Sequence, residues 1–316
     1  MAAYQELINN NIKQQELANY RQNKIREIEQ LTNRPLIVYA SKINSPRGAP
    51  NSIDISDIEG FSDLIDGITG SDLDILINSP GGTAEAVERI VRFLRKRFKS
   101  IHYFVPHSAY SAATMLCLSG NRIYMDSRSC LGPIDPQIGG IPAQEILDAM
   151  AEIEKKLSKN PEHIPAYLPM LQKYDLHLFR LCKSHIELGK RLVSEWLSQY
   201  MFNGQKGRQL GGNIRRVMSI FAIHSTTLSH NRSIGLDVVK TLPLKDNIID
   251  MDEDGNQSLQ KKVWELYCSV DWLFVNTSFV KLFENSRGIS WGRMHQERGV
   301  PLIKLDEPQP PNQPKP

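Results

Sequence analysis

Ile77-Asn78-Ser79-Pro80-Gly81-Gly82, with Ser111 following 29 residues after Gly82 in Ala109-Tyr110-Ser111-Ala112-Ala113-Thr114, decides the reading of this chain. Leu73 to Asn78 reads as a buried strand, and Pro-Gly-Gly as the sharp turn that ends it before a helix. The second segment puts a serine among small residues at the head of another helix. Glycines let backbone N–H groups face a bound carbonyl with no Cβ in the way. A helix N-terminus adds partial positive charge where an oxyanion would form. Together the two segments outline an acyl-transfer site.

The alternation of strand and helix continues outward from this centre. Leu36 to Ala40 reads as a first strand, and Ile53 to Ile68 carries a short helix. Thr83 to Phe98 is a helix with Ala84, Val87, Val91, Leu94 and Phe98 on one face. Ile101 to Val105 and Arg122 to Met125 are strands flanking a helix over Ser111 to Leu118. Short turns between them predict an α/β fold with parallel pairing. After Gln137 helices take over: 143 to 158, then 170 to 202 with an apolar stripe from Leu171 to Leu197. A small helical subdomain is expected over 212 to 240. A long helix over 258 to 284, with Trp264, Tyr267, Trp272 and Phe274, is too aromatic to stand free. Residues 3 to about 31 read as one polar amphipathic helix that needs a partner surface. The tail from Asp306, Glu-Pro-Gln-Pro-Pro-Asn-Gln-Pro-Lys-Pro, cannot build a core and reads as disordered.

The Ser-Pro-Gly-Gly turn, the spaced Ser-Ala-Ala and Gly132-Pro133-Ile134-Asp135-Pro136-Gln137 together resemble the Clp-protease/crotonase superfamily. That superfamily includes the proteolytic subunit of Clp and signal peptide peptidase A; the closest likeness is to its serine dehydrogenase proteinase branch. The likeness is strongest from Leu73 to Gln137 and extends to Leu181–Phe202 and His224–Ile234. It implies the ββα superhelix of the crotonase-like, Clp protease-type α/β fold with added C-terminal helices. The expected organisation is an N-terminal helix (1–32), a peptidase domain with a helical subdomain (33–245), a C-terminal helical extension (246–305) and the tail (306–316). The resemblance casts Ser111 as nucleophile, the Gly82 and Ala112 amides as oxyanion hole and Gly81 as part of the substrate-binding turn. Each such donor is worth roughly 3 kcal/mol of transition-state stabilisation. The competing reading makes Ser111 a small packing residue at a plain strand-to-helix turn.

A serine hydroxyl needs a neighbour to take its proton. The Clp subunit has an Ile-His step where this chain has Ile134-Asp135, 24 residues after Ser111. Asp135 could orient a base, but a carboxylate titrating near ~4 is a poor one itself; its alternative role is to fix the turn between Pro133 and Pro136. Lys183 on the striped helix is the preferred lysine for a Ser-Lys dyad, over Lys155, Lys156 and Lys159, which read as solvated. His230 or His224 supplies the base if it comes from the helical subdomain or a second subunit. A degenerate site that binds peptide without cutting it is the fourth option. His102 reads as a packing residue, and His107 as lining the pocket mouth.

Composition narrows the rest. A net charge of +3 argues against nucleic acid, and the run Arg92, Arg95, Lys96, Arg97, Lys99 reads as a solvated helix face. Four cysteines in apolar surroundings, without paired metal-ligand spacing, read as free thiols in a reducing cytoplasm. No signal peptide is seen, and apolar runs fall short of the ~20 residues that span a bilayer, so membrane contact is at most peripheral. The expectation is a cofactor-free, metal-free serine peptidase acting on polypeptides. The alternatives are a catalytically inactive Clp-fold peptide-binding or scaffold protein and, less favoured, an acyl-CoA-type crotonase enzyme. The polar N-terminal helix and the aromatic helix present apolar surface that predicts a homo-oligomer.

Overall fold

The β-branched and aromatic runs of this sequence suit strands covered on both faces. The computed structural model describes residues 3–9, 14–172, 175–222, 229 and 232–295. Its main sheet has seven strands: β1 Leu36–Ser41, β2 Asp72–Asn78, β3 Ser100–Phe104, β4 Arg122–Met125, β5 Ile248–Asp250, β6 Phe279–Asn285 and β7 Ser290–Met294. The spatial order is β5-β4-β3-β2-β1-β6-β7. The strands from β5 to β1 pair in parallel, and β6 and β7 add an antiparallel hairpin beside β1. Among the described residues the helices are α1 Ala3–Asn9, α2 Gln14–Thr32, α3 Asp57–Ile65, α4 Ala84–Arg95, α5 Ala112–Leu118, α6 Ala143–Lys159, α7 Ile164–Leu171, α8 Leu176–Gln199, α9 Gly207–Phe221 and α10 Gln257–Asn276, with one further helical turn at Leu236–Val239.

The pleat assigns alternate residues to two cores. A row of facing partners, Ile37, Ile75, Tyr103, Ile123 and Ile248, crosses the parallel strands and packs against α3, α4, α5, α8 and α9. The other row, including Val38, Leu76 and Phe104, packs against α2 and α10 through Leu17, Ile25, Ile28, Leu266 and Phe274. The amphipathic N-terminal helix therefore finds its partner surface within the chain. The aromatic helix shares it, so their apolar faces do not supply the expected argument for self-association.

Four sequence expectations need correction. The helix expected over 258 to 284 stops at Asn276, where Thr277 turns extended (φ −141°, ψ 173°), and Phe279 onward joins the sheet as β6. Gly288 at φ +99° lets the chain turn back into β7. The described part of the expected extension, 246–295, is thus not wholly helical: β5, β6 and β7 belong to the main sheet. Likewise, 170 to 202 is not one helix, because the Asp175 side chain accepts from His177 N–H and starts α8 afresh. Nor is the basic run wholly solvated, since Arg95 lies over the Tyr200 ring at 3.5 Å and donates to Asn121 Oδ1 at 2.9 Å. The Pro-rich tail lies outside the described residues.

Candidate active site

β2 ends in the Pro-Gly-Gly turn and runs into α4, whose first turn is capped by the Thr83 side chain accepting from Ala86 N–H. Beyond β3 the chain leaves the main sheet and forms a short second sheet, Ser108–Ala109 beside Cys130–Leu131 beside Ile234–Gly235. Ser79 N–H donates to Ser108 O, and Tyr110 N–H donates to Ser79 O, both at 3.0 Å. These bonds lay the glycine turn alongside the serine turn. The glycines are obligatory here. A Cβ on Gly81 (φ +103°) would sit 2.7 Å from Ser111 Cβ, and one on Gly82 would sit 2.0 Å from Ile53 O.

Ser111 caps α5 with φ 52° and ψ −119°, a conformation sterically costly for a side chain, by about 1–3 kcal/mol. Such strain marks the sharp turns that expose a nucleophile ahead of a helix. The surroundings hold it in place. Thr114 Oγ1 donates to Ala109 O at 2.6 Å and Gly132 O at 2.9 Å, and Gly132 N–H returns a bond to Thr114 Oγ1 at 3.0 Å. Ile134 N–H donates to Phe221 O at 2.7 Å, which anchors the Gly-Pro-Ile-Asp-Pro-Gln loop to α9.

A cavity of about 310 Å³ opens here. Its lining includes Ser111, Gly81, Gly82 and Ala112, with apolar Met115, Ile134 and Leu188. The ladder beside the turn runs Ile53 N–H to Gly81 O (2.7 Å) and Thr83 N–H to Ile53 O (3.1 Å), passing over Gly82 N–H. Among the described residues neither the Gly82 nor the Ala112 amide has an acceptor. Two free backbone donors and a strained serine thus share one cavity.

Of the other candidates, Asp135 is buried at 3% exposure, between cavity-lining Ile134 and Pro136, and is engaged by a partner. Lys183 is exposed and lines a different surface pocket with Gln144, Glu187 and Lys190. Lys155, Lys156 and Lys159 are exposed on α6, and Lys156 pairs with Glu152 at 2.7 Å. His230 and His224 lie outside the described residues. His107 does not line the Ser111 cavity. It stacks on Tyr267 (5.4 Å between ring centres, 5° apart), in a separate cavity with Trp264 and Asp271. His102 is buried on β3, and burial, then Arg34, Arg122 and Arg95, lower its pKa to about 3.

His185 was missed by the sequence reading. It and Glu85 are the titratable side chains lining the Ser111 cavity among the described residues. The signal was present: 185, 188, 189, 192 and 196 share one helical face, and Gly189, Leu192 and Trp196 on it are buried. Lys183, two positions earlier, points to the opposite side.

A mainly parallel sheet with a short second sheet, holding a serine at a helix head beside paired free amides, defines an α/β protein with a hydrolase-like site. The family model for the ClpP-like SDH-type serine proteinase matches residues 4–243, and the chain belongs to that family. Two uncharacterised proteins of Methanocaldococcus jannaschii are similar, at 30% identity over 154 residues and 28% over 151. Each match covers 44% of this chain, which spans about half the length of these relatives (50% and 52%). A ClpP1 variant from Listeria monocytogenes is similar in structure at TM-score 0.35 and 16% identity, over 71% of this chain and 96% of that one. A variant of the 1510-N membrane-bound stomatin-specific protease gives 0.27 and 20%, over 40% and 64%. No helix among the described residues is long and apolar enough to cross a membrane.

Proposed function

We propose that this chain is a serine endopeptidase that cuts extended polypeptides. Ser111 Oγ attacks the scissile carbonyl carbon while His185 takes its proton. The Gly82 and Ala112 amides hold the resulting oxyanion. The C–N bond then breaks, His185 returns the proton to the leaving amine, and water hydrolyses the acyl-enzyme by the same relay. Asp135, buried beside the cavity, is assigned to steady the base, and Gly81 to admit the substrate backbone. The observation that carries this reading is the strained Ser111 turn facing two unpartnered amides in one cavity. A homo-oligomer is part of the proposal, its site open to a residue from a second subunit.

A second reading, a silent peptide-binding scaffold on the same fold, is favoured by one fact. The Ser111 hydroxyl has no hydrogen-bond partner among the described residues. A fluorophosphonate probe separates the two. Stoichiometric labelling at Ser111, slowed at least about 100-fold in His185→Asn, is expected for the peptidase. A folded protein that takes no label is the scaffold. Full-rate labelling of His185→Asn moves the base to another residue.

A further inference from the structure

The Gly82 turn is braced from one side by the Ile53 backbone, and the residues flanking Ile53 are held by a buried ion pair from the far end of the chain. Lys281 on β6 has 0% exposure. Its ammonium donates to Ser52 O at 2.7 Å and to Asp57 Oδ1 and Oδ2 at 2.7 and 2.8 Å. Asp57, also at 0% exposure, accepts from Asp54 N–H at 3.1 Å and from Tyr39 OH at 2.6 Å. Ser52 lines the Ser111 cavity. One pair therefore grips the chain at Ser52 and Asp54, on both sides of the residue whose carbonyl occupies the Cβ position of Gly82. A buried charge pair is a poor device for stability alone, because desolvation offsets much of its attraction. Its three donor bonds are directed at one short segment, which is what positioning requires.

We propose that the Lys281–Asp57 pair is a positioning device for the oxyanion turn, fixing Ser52–Asp54 so that the Ile53 backbone holds Gly82 N–H on the cavity. This rests on the peptidase reading for its catalytic consequence but not for its geometry. A misplacement of about 1 Å at such a turn costs about 100-fold in turnover. A group that only stabilised the fold would leave kcat per folded molecule alone.

The test uses the full chain in three forms: wild type, Lys281→Met/Asp57→Asn, which removes both charges of the pair together, and Lys281→Arg, which keeps the charge but displaces the donors. Circular dichroism establishes that each is folded. Hydrogen exchange then reads the Ile53 and Thr83 amides against those of β3, and peptide hydrolysis reads kcat and KM. The expected result is exchange about tenfold faster or more at Ile53 and Thr83 with β3 unchanged. The kcat should fall about 100-fold with KM within about twofold. Unchanged protection at Ile53 and Thr83, or equal acceleration throughout the sheet, overturns the proposal. If the double variant does not fold, Lys281→Arg, which keeps a cation opposite Asp57 while changing its reach to Ser52 O, is judged by the same exchange criterion. If wild type takes no fluorophosphonate label, the peptidase reading fails while exchange still decides the clamp.

Discussion

The two faces of the central sheet are built on different terms. On the Ser111 face the cover comes from successive elements between α3 and α9, and the seam at the site is made of small residues: Gly81, Gly82, Ala109, Ala112 and Gly132. On the opposite face the cover comes from α2 and α10, far apart in sequence, and its charges are buried in pairs. Arg21 donates to Glu284 at 2.6 Å, and half-buried Lys24 forms an ion pair with buried Glu265 at 2.9 Å. One face carries the strained serine turn; the other holds the sheet together. Substitutions on the first should therefore cost more in rate than in stability, and those on the second should do the reverse.

The sharpest break in that contrast is Ser111→Gly. Hydrolysis should fall by about 10⁴-fold or more. Stability should rise by about 1 kcal/mol, because glycine relieves the strained φ at a smaller entropic cost. A fall in melting temperature would make Ser111 a structural residue. Gly82→Ala comes next: its Cβ would meet Ile53 O at 2.0 Å, so turnover should drop about 10²–10³-fold and stability by about 1–3 kcal/mol. Retained turnover would remove Gly82 from the oxyanion hole.

On the other face, Arg21→Met leaves Glu284 buried without its cation and should cost about 3–5 kcal/mol in denaturant unfolding. Labelling of Ser111 per folded molecule should stay within twofold or so. A large loss of labelling would mean the two faces are coupled. The smallest expected effect is in pH. His102 stays neutral in the fold down to about 3, so the unfolded chain binds its proton first and stability falls as pH drops below about 6.5. Asp74 beside it, raised to about 6 chiefly by burial, is protonated earlier in the fold and opposes that loss. Between pH 7 and 5 the net loss should be under about 1 kcal/mol. In His102→Phe it should become a gain, measured by denaturant titration.

The same contrast explains what was legible in the sequence. Strands β1 to β4 and helices α4 and α5 lie close to their expected bounds, because each carries local period and turn signals. The Gly-Gly and Gly-Pro-Ile-Asp segments were visible because close backbone approach admits so few residue types. The β6–β7 hairpin was not, since its aromatic run reads equally well as the end of a helix until β1 offers it partners. Lys281 and Glu284 gave no cue, because their burial depends on Asp57 and Arg21, more than 200 residues away. His185 was overlooked for a different reason: it sits within an apolar helical stripe, whose period by itself signals packing and does not single out one imidazole on the cavity wall.

β6 also sets an order of events during synthesis. Ser111, both glycines and all of α5 leave the ribosome long before Phe279–Asn285, the strand that closes the sheet beside β1. At about 5–20 residues per second, the interval is on the order of ten seconds. Throughout that time β1 offers a bare edge, and Asp57 waits without its ammonium. Until β6 is added, the segment that braces the Gly82 turn lacks the Lys281 ammonium, so the support beside Ser111 is among the last parts of the fold to be completed.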